Sequence, residues 1–320
     1  MNRILSTIAA GFAAALLACG MARAADYPAR PIELIVPASP GGGTDVMARA
    51  FAEAARKYVA QPLNVVNRPG ASGSVGLAEA QRAAPDGYTV GVLIGELAII
   101  PHLNLVRFTV DDFVPVARLN ADPASITVRA EAPWNSIEDF LAHARKYPTR
   151  VSMGDSGSGS IWHLAAAALE HKTGVRFSYT PFQGSAPGVK ALLDGEIDAM
   201  TTSPGEVAAH VAAGKLKTLA VMADQRQPGL FAGVPTLKEK GIELSIGTWR
   251  GLGVPPNTPP EAVAALRELA RKVAADPAFR DAMAQARLTV AYQDADAFRR
   301  TMAESSQHFR KLIGKLEMKK

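Results

Sequence analysis

Between residues 32 and 95, short unbroken apolar runs trade places with stretches in which apolar residues recur every third or fourth position. The run "IELIVPASP" (Ile32 to Pro40) reads as a strand that enters a turn. From Thr44 to Tyr58, Met47, Phe51, Ala54 and Tyr58 fall at helical spacing, and Thr44 or Asp45 can cap that helix. A strand in "LNVVNRPG" (Leu63 to Gly70), a helix in "GSVGLAEAQRAA" and a strand in "DGYTVGVLIG" (Asp86 to Gly95) follow. Strand and helix in this alternation predict a parallel sheet with helices on its faces.

The order then returns. "ASITVRA" (Ala124 to Ala130) is a strand, "SIEDFLAHARKYP" a helix that Ser136 can cap, and "TRVSMGDSGSGS" a strand opening into a Gly/Ser loop. "IWHLAAAALEHKTG" (Ile161 to Gly174) is a helix stopped by glycine. "RFSYTPF" is a strand, "APGVKALLDGEIDAMTTSP" gives a helix, a turn at Asp194-Gly195 and a strand, and "KLKTLAVMA" (Lys215 to Ala223) closes the set. "WRGLGVPPNTPP" (Trp249 to Pro260) is too rich in proline for a long helix and reads as a link back to the first domain. The tail carries helices with Val263, Leu266, Leu269 and Val273 on one face, then Phe279 and Met283, then Phe298, Met302 and Phe309. The predicted class is α/β, with a first lobe over 26–125, a second over 126–245, and a return of 246–320 to the first lobe. Each lobe has a parallel-rich sheet, flanking helices and one Gly-rich strand-to-helix loop, and both loops face the cleft between the lobes.

With 48% hydrophobic and 20% charged residues among 320, the chain is too apolar for disorder and long enough for two domains. Ahead of the first strand, Met1, Asn2 and Arg3 precede the apolar run "ILSTIAAGFAAALLA", and Ala22-Arg23-Ala24 has the pattern of a cleavage site. Residues 1–24 therefore read as a secretory signal peptide. Leu16-Leu17-Ala18-Cys19 also has the form of a lipoprotein processing box, in which Cys19 would keep a lipid. Cys19 is the single cysteine, so cleavage at the later site leaves neither a disulfide nor a thiolate nucleophile. No later run is long enough to cross a bilayer. The formal charge of +5 falls to +3 once Arg3 and Arg23 leave with the leader, and no basic stripe or metal-finger spacing points to nucleic acid.

The segment Pro40, Gly41, Gly42, Gly43, Thr44, Asp45 offers backbone N–H donors at the start of a helix, where a carboxylate or phosphate is accepted. A nucleotide loop would need a lysine after its last glycine, and a dinucleotide fingerprint would need spaced glycines; neither is present. The plain alternative is a tight turn and nothing more. In the second loop, Gly154-Asp155-Ser156-Gly157 looks like the nucleophile region of a trypsin-like protease, but it sits in an α/β pattern, and the hydrolase elbow fails because Ser158 stands where glycine is needed. Ser156, Ser158 and Ser160, with Gly157 and Gly159, instead offer hydroxyl and N–H groups at the next helix start. Two such loops across a cleft suit a dicarboxylate. His163 orients this loop or touches the ligand, and Trp162 belongs to the core or to the cleft wall.

"YPARPIELIVPASPGGGTDVMARA", "VVNRPGASGSVG", "APDGYTV", "SGSGSIWHLA", "PFQGSAPGVKALLDGEIDAM" and "GVPTLKEKGI" followed by Trp249 together resemble, in order, the solute receptors of tripartite tricarboxylate transporters of the Bordetella uptake gene type. The resemblance spans essentially the whole mature chain. It implies a monomeric periplasmic two-lobe solute-binding protein that closes on a small carboxylated solute, with no cofactor, metal or nucleic acid. It also implies a partner, a membrane permease of one large and one small subunit. Carried over, the ligand residues are Ser39 to Asp45, Ser156 to Ser160 with His163 behind them, the turn with Gln183 and Gly184, and Thr201 to Ser203; the strand end at Glu96 borders the pocket. Such receptors commonly hold carboxylates through main-chain N–H groups and ordered water.

Two departures bear on the solute. Glu96 stands where the family more often has a small polar residue, and a buried carboxylate there costs several kcal/mol unless paired or protonated. Facing the pocket, it implies a solute with an amine or ring nitrogen; facing solvent, it implies nothing. Phe182 replaces a usual tyrosine and makes the rim more apolar. The expected function is capture of a dicarboxylate, amino acid or aromatic acid for transport, the alternatives being a sensing accessory and a serine hydrolase built on Ser156.

Overall fold

The computed structural model describes residues 27–316; the expected signal peptide, Cys19 included, lies outside the described residues. Strands β1 (Ile32–Val36), β2 (Leu63–Asn67) and β3 (Thr89–Ile94) pair in parallel around β1, with helices α1 (Gly43–Ala55) and α2 (Ser74–Arg82) as the crossovers. Met47, Ala48, Phe51 and Ala55 are the buried stripe of α1, which is the helical spacing legible in the sequence. β1 is buried at four of five positions, as expected of a parallel strand covered on both faces.

The next strand, β4 (Val114–Arg129), is 16 residues long and belongs to both lobes. Val114 to Pro123 pair with β9 (Gly247–Val254) beside β3, while Ala124 to Arg129 pair with the strands of the second lobe. There α3 (Ile137–Lys146), β5 (Ser152–Asp155), α4 (Ile161–Thr173), β6 (Ser178–Pro181), α5 (Ser185–Asp194), β7 (Ala199–Thr202), α6 (Pro204–Ala212) and β8 (Leu216–Met222) follow in sequence. β5 is parallel to both β6 and β7, and β7 and β8 run antiparallel to β4. Ser136 caps α3 by accepting the Asp139 N–H, and Gly174 ends α4 in the left-handed region at φ 73°, both as their sequence positions suggest.

The segment expected as a proline-rich link is instead β9, a strand in the middle of the sheet, flanked by β3 and β4. Its glycines are there for close packing. A Cβ on Gly251 would lie 2.5 Å from the Ala117 carbonyl and from the Phe298 ring, and one on Gly253 would lie 2.5 Å from Leu93 Cδ1. The prolines begin only after the strand, at Pro255. Helices α7 (Pro260–Ala275), α8 (Pro277–Gln285) and α9 (Ala295–Lys315) then pack on the first lobe, with β10 (Val290–Gln293) pairing β4. The core is one large cluster through both lobes and a smaller one around Leu192, Met200, Val207 and Phe231.

Two strands therefore carry the chain between the lobes side by side. At the crossing Pro123 pairs with Gly247, where a Cβ would lie 2.4 Å from the Asp122 carbonyl.

Candidate functional site

A cavity of about 420 Å³ lies between the lobes, at the ends of the parallel strands. Ligands of open α/β sheets bind in that position, because the loops after the strands converge there with their helix N-termini. The walls come from the segments after β1, β2 and β3 in the first lobe and after β5 and β6 in the second, with Glu206 of α6 and Thr248 and Arg250 of β9 as the floor.

In the first loop, α1 begins at Gly43 with Gly42 as its N-cap and no side-chain cap. The expected cap from Thr44 or Asp45 does not form, because both side chains are engaged elsewhere. The Thr44 hydroxyl accepts from Arg250 Nε at 3.0 Å, and Asp45 accepts from Gly41 N–H at 2.9 Å, Arg49 Nε at 3.0 Å and Asn67 Nδ2 at 2.8 Å. Burial would raise the Asp45 carboxyl, but these donors outweigh it and hold it below the ordinary value. Asp45 shapes the loop from behind. The Gly43 N–H points to Glu206 Oε1, 3.1 Å away on the opposite lobe.

The second loop is built in the same way. Ser160 caps α4 by accepting the His163 N–H at 3.1 Å, and His163 Nδ1 accepts from Gly159 N–H at 2.9 Å. Its ring packs edge-on to Tyr179, and burial lowers its pKa, which favours the neutral imidazole; with Nδ1 accepting from Gly159, the proton of that form is on Nε2. Beneath the loop Asp155 Oδ1 takes the Gly157 N–H at 2.7 Å, while Oδ2 is buried without a partner; burial pushes this carboxyl up to about 6. The N–H of Ile161, the first residue of α4, donates to Glu96 Oε1 at 3.2 Å.

Each lobe's helix N-terminus is thus met by a carboxylate from the other lobe, α1 by Glu206 and α4 by Glu96. Arg250 sits at the centre, 2% exposed, bonded through Nη1 to Asp122 at 2.8 Å and to Asn120, with Glu206 at 3.6 Å from Nη2. Burial works against the Glu206 charge, but Arg250 and the donors Thr202, Gly43 and Ser203 prevail and keep it ionised below the ordinary value. For Glu96 the balance reverses: burial dominates, Arg250 acts only at a distance, and the carboxyl is raised. Two further bonds close the cleft, Ser72 Oγ donating to the Ser158 carbonyl at 2.7 Å and Ser39 Oγ to the Gln183 carbonyl.

Of the residues singled out in the sequence, Ser39, Gly42, Gly43, Thr44, Glu96, Ser156, Gly157, Ser158, Gln183 and Gly184 line this cavity. Pro40, Gly41, Asp45, Gly159, Ser160, His163, Thr201 and Ser203 do not. Gly41, Asp45, Gly159, Ser160 and His163 make the internal bonds that shape the two loops, and Pro40 is exposed. Thr201 Oγ1 donates to the Trp162 carbonyl at 2.8 Å and Ser203 braces Glu206, so each stands one contact behind a lining residue. Trp162, left open between core and wall, lines the cavity and donates through Nε1 to Ser185 at 3.1 Å. Sequence reasoning missed Glu206, Arg250 and the turn Pro69 to Gly73. Glu206 had a signal, because Ser203-Pro204-Gly205-Glu206 is a capping box. Arg250 was hidden in the supposed link.

Residues 47–318 match the sequence model of the tripartite tricarboxylate transporter family receptor, TctC. The chain belongs to that family. A relative encoded in the gbd 5′ region of Cupriavidus necator is 31% identical over 318 residues, 97% of each chain. Among solved structures, a TctC solute-binding protein from Polaromonas without ligand is 51% identical, with 90% of this chain and 99% of that one covered and a TM-score of 0.68. Rpa4515 of R. palustris, solved with adipate, is 25% identical, with 91% and 99% covered and a TM-score of 0.87. As a TctC receptor the chain is a periplasmic solute-binding protein of the two-lobe fold, and its work is binding, not turnover.

Proposed function

We propose that this TctC receptor encloses one small carboxylated solute between its lobes and presents the closed form to a membrane transporter made of one large and one small subunit. The observation that carries the reading is the cleft itself: a cavity of about 420 Å³ walled by two Gly-rich helix starts and spanned by bonds from lobe to lobe. Helix N-termini and loop N–H groups favour a carboxylate, and enclosure away from water lets a few polar contacts give useful affinity. Adipate in the related Rpa4515 supports an acid of that size. The first lobe in this reading is 26–125, the second 126–245, and 246–320 returns to the first.

The ligand-facing groups are those of Ser39 and Gly42 to Thr44, Glu96, Ser156 to Ser158, and Gln183 with Gly184. A fit to the ligand-free Polaromonas protein that is looser than the fit to the far less similar Rpa4515 supports lobes that change their relative orientation.

Thermal unfolding of the mature chain, refolded to strip bound solute, tests this against dicarboxylates, tricarboxylates, aromatic acids and acidic amino acids. A true ligand at a hundred times its Kd stabilises the native state by about 2.7 kcal/mol, so one class should raise the Tm in proportion to the logarithm of concentration. No rise with any class of acid would overturn the assignment.

A further inference from the structure

At each helix start expected to receive a carboxylate of a diacid, the first N–H donor is already taken by the protein. Glu206 takes the Gly43 N–H at the start of α1, and Glu96 takes the Ile161 N–H at the start of α4. The buried charges around the cavity do not balance either. Buried Asp122 and Glu96, and Glu206, whose side chain is 6% exposed, face among the described residues a single guanidinium, that of Arg250. Arg250 is committed to Asp122, Asn120, Thr44 and Glu206. Glu96 accepts only main-chain N–H groups and forms no ion pair among the described residues, although it stands in the cavity wall. A carboxylate buried in this way is costly unless it takes up a proton or a positive group comes to it.

Resting on the receptor reading above, we infer that the acid held in this cleft carries a cationic nitrogen, received by Glu96 with Glu206 behind it. The nitrogen supplies the missing countercharge. The solute's own carboxylate goes to the donors that the protein leaves open on the loops around Ser156 to Ser158 and Gly70 to Ser72, and Ile94, Trp162 and Phe182 give an apolar wall between the two ends. Burial raises the Glu96 carboxyl above its ordinary value in the empty cleft, and an approaching ammonium lowers it again.

Calorimetric titration of the stripped mature chain with matched pairs tests the inference: succinate and aspartate, glutarate and glutamate, hydrocinnamate and phenylalanine. In at least one pair the nitrogen-bearing acid binds about tenfold tighter or more, and in Glu96→Gln, which keeps the acceptor for Ile161, that preference shrinks to about threefold or less. Equal or tighter binding of the nitrogen-free acid in every pair that binds overturns the inference and leaves the receptor reading standing. Binding of none of the six overturns the inference, and overturns the receptor reading as well if no class of acid raises the Tm. Should Glu96→Gln fail to fold by circular dichroism, the wild-type preference is followed as the pH is lowered through the Glu96 titration, with Arg250 and Glu206 the other charged groups facing it. The preference fades there if Glu96 holds the nitrogen, and a preference unchanged by pH overturns the assignment.

Discussion

At the scale of single residues, Gly42 and Gly43 look alike in the sequence and differ in what surrounds them. A Cβ on Gly43 would lie 2.9 Å from Arg250 Nη2 and 3.2 Å from Glu206 Oε1, whereas one on Gly42 would meet nothing closer than 3.7 Å. Gly43→Ala is expected to displace the buried Arg250, costing about 1–3 kcal/mol of stability and weakening solute affinity roughly tenfold or more. Gly42→Ala should change either by less than about 0.5 kcal/mol. Denaturant melts and calorimetry on the pair check this, and equal effects would remove the special role of Gly43. Asp155 supports a second expectation. Its carboxyl rises from 3.8 to about 6 on folding, so its contribution to stability is full below 3.8 and lost as the pH rises through about 6. Relative to wild type, Asp155→Asn should therefore gain stability as the pH rises from about 4 through about 6 and hold that gain above it, by up to about 3 kcal/mol for a shift of about two units. Parallel melting curves across that range would contradict it. Residue identity made the Gly-rich loops legible, and the family resemblance singled out Glu96 while leaving open which way it faces. Residue identity could not show Arg250 or Glu206 as cavity residues, because their roles depend on contacts between segments far apart in the chain, 206 positions in the case of Thr44 and Arg250.

At the scale of elements, the alternating strands and helices of both lobes were legible because their periodicities are strong. The misread element was β9. Glycine and proline near a strand usually punctuate a loop, but Gly251 makes room for Phe298 of the C-terminal helix and Gly253 for Leu93 of β3, contacts between segments far apart in the sequence. Likewise only the end of β4 stood out, since Pro115 and the Asp122-Pro123 pair interrupt its pattern. Helix α4 carries the element-level prediction. Its N-cap Ser160 is fully buried and takes the His163 N–H. Ser160→Ala should cost about 1 kcal/mol or more of stability and loosen the Gly157 to Ser160 loop, with accelerated amide exchange at Gly159 and His163 as the readout. Unchanged exchange there would mean the loop is held without the cap.

At the scale of the molecule, two side-by-side strands join the lobes and a few polar bonds close them, an arrangement in which small contacts decide between open and closed states. The Ser72 hydroxyl bonded to the Ser158 carbonyl is one such contact, between two neutral groups. Ser72→Ala should leave the unfolding free energy of the solute-free chain within about 0.5 kcal/mol of wild type while speeding solute release several-fold, as read by stopped-flow fluorescence of Trp162. An unchanged release rate would show that this bond does not hold the cleft shut. Two lobes and a cleft between them followed from the repeated α/β order. The cross-lobe capping of each helix start by the other lobe's carboxylate did not, because it exists only when the lobes are brought together.

The central claim is that one small acid is held inside the cleft, and a crystal structure of the stripped chain grown with the acid that raises the Tm most tests it directly. The account predicts one molecule enclosed between the lobes, its carboxylate on the loop donors near Ser156 to Ser158 and Gly70 to Ser72, and its nitrogen against Glu96. An acid bound on the outer surface, or an empty cleft at saturating concentration, would contradict it.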